Sequence, residues 1–229
     1  MKISGLVKLS LLDYPKKLAA VIFTQGCNLN CFYCHNKHLI PNIQGTIDKE
    51  YVLNFLKHRK DRLDGVVITG GEPCFQDTNS LFNFINDIKN IGYFVKIDTN
   101  GLYPKILKSL ILNGLIDYIA MDIKMPLDKY DLIMDKSIEI TNKICTNDIL
   151  DSINITKSLI DYEFRTTLTN NFNEETIYNI MINIKNTKKY ILQSVDKSEK
   201  GIKILNYLYN KTVSLSKEFN IQDYFIRKY

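Results

Sequence analysis

Apolar positions along this chain recur in two alternating ways. Short, mostly apolar runs bounded by Gly, Pro, Asn or Asp alternate with longer stretches where apolar residues return every three or four positions. The short runs predict strands over 3–8, 18–23, 65–69, 93–98, 118–122, 163–168 and 190–193. The longer ones predict helices over 48–59, 79–89, 104–112, 148–160, 174–184 and 201–217. Tyr51, Val52, Phe55 and Leu56 form the apolar face of the first helix, and Leu81, Phe82, Ile85 and Ile88 that of the second. Pro104 suits a first helical turn, where its missing N–H is not needed, and Asn113-Gly114 is a stop signal. Asp13-Tyr14-Pro15-Lys16 predicts a turn, so the first two strands make a hairpin whose second arm is the first core strand. Short helical pieces are expected through 125–146, and 223–227 is a candidate extra strand.

Short apolar strands alternating with amphipathic helices imply an α/β fold with a parallel sheet. A full eight-unit barrel takes ~250 residues. Six strand–helix units in 229 residues, with a long loop after the first core strand, fit a partial (β/α)6 barrel. Periodicity alone also allows a doubly wound open sheet. No Gly-, Pro- or Ser-rich linker and no internal repeat divides the chain, so one domain over 1–229 is expected.

Composition narrows the function classes. Hydrophobic residues make up 45% of the chain, enough for a sizeable core. The formal charge of +5 is mild and its basic residues are scattered, which argues against a dedicated nucleic-acid face and leaves room for an anionic small molecule or an acidic partner. Met1-Lys2-Ile3-Ser4-Gly5 lacks the apolar core of a signal peptide, and no run approaches the ~18 apolar residues of a membrane span. A cytoplasmic protein without membrane or nucleic-acid partners is expected. The five cysteines are not arranged as a secreted disulfide framework.

Three of those cysteines fall in Cys27-Asn28-Leu29-Asn30-Cys31-Phe32-Tyr33-Cys34, spaced C-x3-C-x2-C. Three thiols on so short a backbone cannot all be bridged to one another, so a metal or cluster is the better reading. Three ligands to a four-iron cluster would leave one iron open, and an open position marks a site that does chemistry. A Cys3His zinc site with His35 or His38 is the structural alternative, although zinc sites usually draw on two separated ligand pairs. Cys74 and Cys145 have no partner at ligand spacing and read as buried apolar thiols. His35, His38 and His58 read as surface or loop residues. In parallel α/β folds the reactive face lies at the carboxyl ends of the strands. There the chain places the cysteine loop, Thr69-Gly70-Gly71-Glu72-Pro73, Asp98-Thr99-Asn100-Gly101, Met121-Asp122-Ile123-Lys124, Arg165 and Gln193.

The cysteine spacing, with Tyr33 as the aromatic before the last cysteine, resembles the radical S-adenosylmethionine superfamily. The resemblance implies a (β/α)6 partial barrel and a [4Fe–4S] cluster on Cys27, Cys31 and Cys34. Its fourth iron would hold S-adenosylmethionine, with Tyr33 near the adenine. Reductive cleavage would give a 5′-deoxyadenosyl radical that takes a hydrogen atom from the substrate. Gly70-Gly71-Glu72-Pro73 resembles the superfamily's second motif, which receives the α-amino group of the cofactor, with Glu72 helping directly or by ordering the loop. Asp98, Thr99, Asn100 and Asp122 resemble segments that, in glycyl-radical-enzyme activases, lie near the methionine carboxylate, in places around a monovalent cation. Lys124 would lie near substrate or carboxylate, and Arg165 would pair with the methionine carboxylate or form a barrel-mouth salt bridge. The segments 3–8, 10–15 and 34–36 are similar to those of the small activating proteins of anaerobic ribonucleoside-triphosphate reductase, and the match continues through Arg165-Thr166-Thr167. It implies a glycyl radical enzyme as partner, with a flavodoxin- or ferredoxin-type reductant. Cys74 and Phe75 depart from the Thr and Leu of that family. Rival readings are radical chemistry on a small molecule, as in 7-carboxy-7-deazaguanine synthase, and a non-catalytic metal or electron-transfer module.

Overall fold

Each core strand is followed by a helix that carries the chain back across the sheet, so successive strands come to lie parallel. The structure is a computed structural model that describes residues 1–135, 144–159, 161–169, 172–194 and 198–228. The strands are β1 (Ile3–Ser10), β2 (Ala19–Thr24), β3 (Gly65–Gly70), β4 (Phe94–Thr99), β5 (Tyr118–Asp122), β6 (Tyr162–Leu168), β7 (Lys189–Ser194) and β8 (Asp223–Lys228). They form one sheet in sequential order. β1 is antiparallel to β2, and every later neighbour pair is parallel. The helices are α1 (Lys49–Arg59), α2 (Thr78–Ile91), α3 (Pro104–Leu112), α4 (Thr146–Lys157), α5 (Glu174–Asn183) and α6 (Glu199–Glu218). The expected partial barrel with an N-terminal hairpin is therefore present, and β1 and β8 are the sheet's unjoined edges. The candidate tail strand is β8, parallel to β7.

Two helix faces differ from the expected pattern. In α1 the buried residues are Val52, Leu53 and Leu56, while Tyr51 is 52% exposed. In α2 Phe84 is buried, and Phe82 only half-buried. Both helices start at an Asp N-cap, Asp48 and Asp77, whose carboxylate accepts a backbone N–H of the first turn. Part of the expected helical stretch 125–146 is a short 3-10 segment, Leu127–Ile133; positions 136–143 lie outside the described residues.

Strand alternation sorts side chains into two layers. Val66, Ile68, Val95, Ile97, Ile119, Met121 and Phe164 join the main core with the buried helix faces. The other face lines the lumen, where Tyr14, Ala19, Val21, Val67, Tyr118 and Ala120 form a separate apolar floor. Tyr14, from the hairpin turn, meets Tyr118 at a ring separation of 5.7 Å. Apolar packing thus closes one end of the lumen and leaves the carboxyl ends of the strands for polar groups. Among the described residues no helix is long and apolar enough to cross a membrane.

Candidate active site

The carboxyl ends of the strands open onto a cavity of about 560 Å³, within the usual range of a small-molecule site. Its wall carries Cys27, Cys31, Tyr33, Cys34, Gly70, Gly71, Glu72, Asp98, Thr99, Asn100, Asp122, Lys124 and Arg165. Of the candidate site residues, Pro73 alone lies off the wall, buried at the start of the 3-10 turn Pro73–Phe75.

The cysteine loop is held by its backbone. The Cys27 N–H donates to the Ile40 carbonyl at 3.0 Å, and the Phe32 N–H to the Ile133 carbonyl at 2.9 Å. The Leu29 N–H donates to Cys27 Sγ at 3.4 Å, the kind of bond that tunes a cluster-bound sulfur. Cys31 is 7% exposed, and Cys27 and Cys34 are half-buried. Burial, then the Glu72 carboxylate, pushes the Cys27 thiol up to about 12, and burial pushes Cys31 up as well. Such thiols release their protons when a metal takes their place. Cys74 is a buried thiol, as expected, whereas Cys145, the residue before α4, is exposed.

The donor set fits an iron–sulfur cluster. Three soft thiols line one cavity mouth, and thiolates are the ligands that hold an iron–sulfur cluster. His35 and His38 are exposed. The Tyr33 hydroxyl, on the cavity wall, is buried without a hydrogen-bond partner, a cost that a bound group would offset; both polar atoms of the Asn30 side chain, off that wall, are likewise unpartnered.

The two glycines of the second motif have a steric reason. A Cβ on Gly71 would lie 2.1 Å from the Gly26 carbonyl oxygen, and one on Gly70 2.5 Å from the Thr24 nitrogen. Gly70 also has φ +112°, a region open to glycine. Backbone therefore packs on backbone: the Gly71 N–H donates to Thr24 O and the Glu72 N–H to Gly26 O. The Glu72 carboxylate turns inward and is 1% exposed. Its Oε1 accepts from Thr99 Oγ1 at 2.8 Å and the Cys74 N–H at 3.0 Å, and its Oε2 accepts from the Asn100 N–H at 2.7 Å. Asn100 Nδ2 in turn donates to Asn28 Oδ1 at 2.8 Å. Glu72 thus ties the loops after β3 and β4 to the cysteine loop. Burial raises its pKa, against the pull of these three donors.

Charged groups fill the middle of the lumen. Arg165 Nε donates to Asp122 Oδ1 at 2.8 Å and Arg165 Nη1 to Asp98 Oδ2 at 3.3 Å. Lys124 Nζ lies 3.2 Å from Asp122 Oδ2, and Lys96 Nζ contacts Asp98 Oδ1. Arg165 therefore makes the barrel-mouth salt bridge, reaching two strands at once. Lys96 was not among the sequence candidates, nor was Glu163, which accepts from the Tyr118 hydroxyl at 2.7 Å. The signal was present: Lys96 and Asp98, like Glu163 and Arg165, are two apart on a strand and so share its inner face. Burial alone would raise the Asp122 pKa, but Arg165 and then Lys124 bring it down to about 2. A depressed carboxylate stabilises the fold above its unfolded pKa, and the gain disappears as pH falls through the folded one. Wild type is therefore expected to lose about 2 kcal/mol between about pH 4 and pH 2 from this group. Denaturant unfolding at stepped pH should show this slope flattened in Asp122→Asn.

The chain belongs to the Radical SAM superfamily, whose family model matches residues 21–183. It is accordingly an oxidoreductase that uses a [4Fe–4S] cluster and S-adenosylmethionine. A protein of Methanocaldococcus jannaschii, provisionally named a glycyl-radical enzyme activating enzyme, is 38% identical over 201 residues, covering 85% of this chain and 80% of that one. The pyruvate formate-lyase-activating enzyme of Clostridium pasteurianum is 32% identical, covering 54% and 52%. A 7-carboxy-7-deazaguanine synthase of Methanopyrus kandleri is 28% identical, covering 47% and 49%. The chain thus spans four fifths of the first relative and about half of the other two. Among solved structures, QueE from Escherichia coli superposes with a TM-score of 0.55 at 14% identity, over 96% of this chain and 91% of that one. Native anSMEcpe with bound AdoMet gives 0.59 at 15%, over 89% and 61%. These two likenesses concern the fold.

Proposed function

We propose that the protein activates a glycyl radical enzyme by removing a hydrogen atom from a glycine Cα of that partner. The observation that carries this reading is the similarity to the M. jannaschii protein over 85% of the chain. The resemblance of segments 3–8 and 10–15 to the small activating proteins of anaerobic ribonucleoside-triphosphate reductase supports that reductase as the partner, with a flavodoxin- or ferredoxin-type protein as electron donor in the cytoplasm. The unjoined edges β1 and β8 suit a substrate that is a loop of another protein, since they leave one side of the lumen without a strand across it.

In this reading Cys27, Cys31 and Cys34 hold the cluster, and the Leu29 N–H steadies Cys27 Sγ. Bound there, the cluster and S-adenosylmethionine supply one-electron cleavage of the S–C5′ bond and the radical that takes the hydrogen atom. Tyr33 would lie beside the adenine, and its hydroxyl has no hydrogen-bond partner of its own to give up. Gly70, Gly71 and Pro73 shape the edge that receives the amino group, while Glu72, Thr99 and Asn100 fix that edge in place. Arg165 and Lys124, paired with Asp98 and Asp122, would be the cations that meet the methionine carboxylate. A monovalent cation among Asp98, Thr99 and Asp122 has less support, because each of the four carboxylate oxygens already meets a cationic nitrogen.

Radical chemistry on a small molecule is the second reading, favoured by the M. kandleri synthase relative. The two separate in one experiment. The protein, reduced anaerobically with S-adenosylmethionine and the ribonucleotide reductase of its own host, is expected to produce a glycyl signal by electron paramagnetic resonance on the reductase. Formation of 5′-deoxyadenosine with no such signal on that reductase, but with conversion of a small molecule to a 7-deazaguanine product, would overturn the first reading.

A further inference from the structure

Asp98 and Asp122 offer four carboxylate oxygens to the cavity mouth, and all four are met by cationic nitrogens. Lys96 Nζ takes Asp98 Oδ1, Arg165 takes Asp98 Oδ2 and Asp122 Oδ1, and Lys124 takes Asp122 Oδ2. Two more buried carboxylates act on this group, Glu163 on Lys96 and Arg165, and Glu72 on Lys124, and Glu163 is met in turn by Lys189 at 3.8 Å. Four cations therefore stand against four carboxylates, a net charge of 4 − 4 = 0, and without Lys96 the carboxylates outnumber the cations by one. Lys96 differs from its companions in position: it lies one layer deeper on β4, its side chain is 1% exposed, and its Nζ is 5.9 Å from the centre of the Tyr118 ring. It cannot reach the open cavity, so its effect passes through Asp98.

We propose that Lys96 is a positioning residue whose ammonium stands where a bound alkali-metal ion would otherwise be needed, so that an incoming carboxylate meets no excess negative charge at the mouth. This rests on the reading that the methionine carboxylate of S-adenosylmethionine lies at Asp98, Asp122 and Arg165. An alkali-metal ion is a hard cation that seeks oxygen ligands. Here Asp98 Oδ1 is already covered from below, and the covering charge is covalently part of β4. The lumen therefore has its charge balance before any ligand arrives, and Asp98 is held so that its other oxygen serves Arg165.

The test is equilibrium binding of S-adenosylmethionine to the anaerobically reconstituted protein in potassium, sodium or choline chloride at one ionic strength. Wild type is expected to bind equally in all three. Lys96→Met should bind about tenfold more weakly in choline, the cost of one charge-assisted contact, and recover in potassium or sodium. Lys96→Arg should match wild type. The double variant Lys96→Met/Asp98→Asn removes one charge of each sign, leaves the sum unchanged and should again bind equally in all three salts. Melting of the metal-free protein gives a second readout: potassium should raise the melting temperature of Lys96→Met and leave wild type unchanged. Wild-type binding that depends on potassium or sodium would overturn the proposal. So would Lys96→Met binding that is insensitive to the cation, whether strong or weak. If Lys96→Met does not fold, salt dependence in wild type or in the double variant overturns it alone. Failure of wild type to bind S-adenosylmethionine in any salt would instead sink the placement of the cofactor.

Discussion

Arg165→Leu is expected to lower the stability of this protein by about 3–5 kcal/mol, the cost of leaving buried charge without its partner. The residue is buried at the mouth, and its guanidinium bridges Asp98 on β4 and Asp122 at the end of β5. Burial works against the charge of Arg165, yet the Asp122 and then the Asp98 carboxylate raise its pKa well above the ordinary value. Removing it leaves two desolvated carboxylates facing each other, with one lysine each. The melting temperature should fall by about 10 °C for a chain of this size. Arg165→Lys should recover only part of this, because one ammonium lacks the planar fork that serves two carboxylates at once. A double-mutant cycle with Asp98→Asn provides the check. The pair Arg165→Leu/Asp98→Asn should be more stable than Arg165→Leu alone. Equal or lower stability in the pair would show that Arg165 holds the sheet by packing rather than by charge.

Glu72→Ala should be nearly as damaging, for a different reason. Its carboxylate is the shared acceptor for Thr99 Oγ1, the Asn100 N–H and the Cys74 N–H. Deletion leaves three buried donors unmet, at about 1–3 kcal/mol each before relaxation, so a net loss of about 3–5 kcal/mol is expected. Glu72→Gln keeps one acceptor but sets an amide NH2 against one of these donors, and should lose about 1–3 kcal/mol. Because Asn100 also holds Asn28 of the cysteine loop, iron retained per chain after desalting should fall along with stability. A variant that keeps full stability and iron, and loses only affinity for S-adenosylmethionine, would mean that Glu72 acts on the cofactor directly.

Much of this architecture is legible in the order of residues. The alternation of short apolar runs with amphipathic stretches marks every core strand and helix, because a strand covered on both faces has little choice of side chain. Ends are less legible: β1 continues to Ser10 and α2 begins at Thr78, since Asp77 caps it. The face of α1 is misjudged because Tyr51 is apolar in composition, yet its ring lies at the solvent edge. At the site, motif spacing locates the cysteines and the Gly-Gly-Glu-Pro turn. It does not reveal that the glycines serve loop-on-loop packing against Gly26, a contact between segments far apart in the chain. Lys96 escapes for a related reason. A lysine in a strand reads as solvent-facing, and only the curvature of the sheet turns that face into a closed lumen.

The central claim is that three thiols hold a cluster able to cleave S-adenosylmethionine. The most direct measurement is 5′-deoxyadenosine released after anaerobic reconstitution and reduction with dithionite, compared between wild type and Cys31→Ser at matched melting temperature. Wild type should release it and Cys31→Ser should release none, while both keep the same fold. Release from Cys31→Ser, or none from a wild type that carries its full iron and sulfide, would contradict the account.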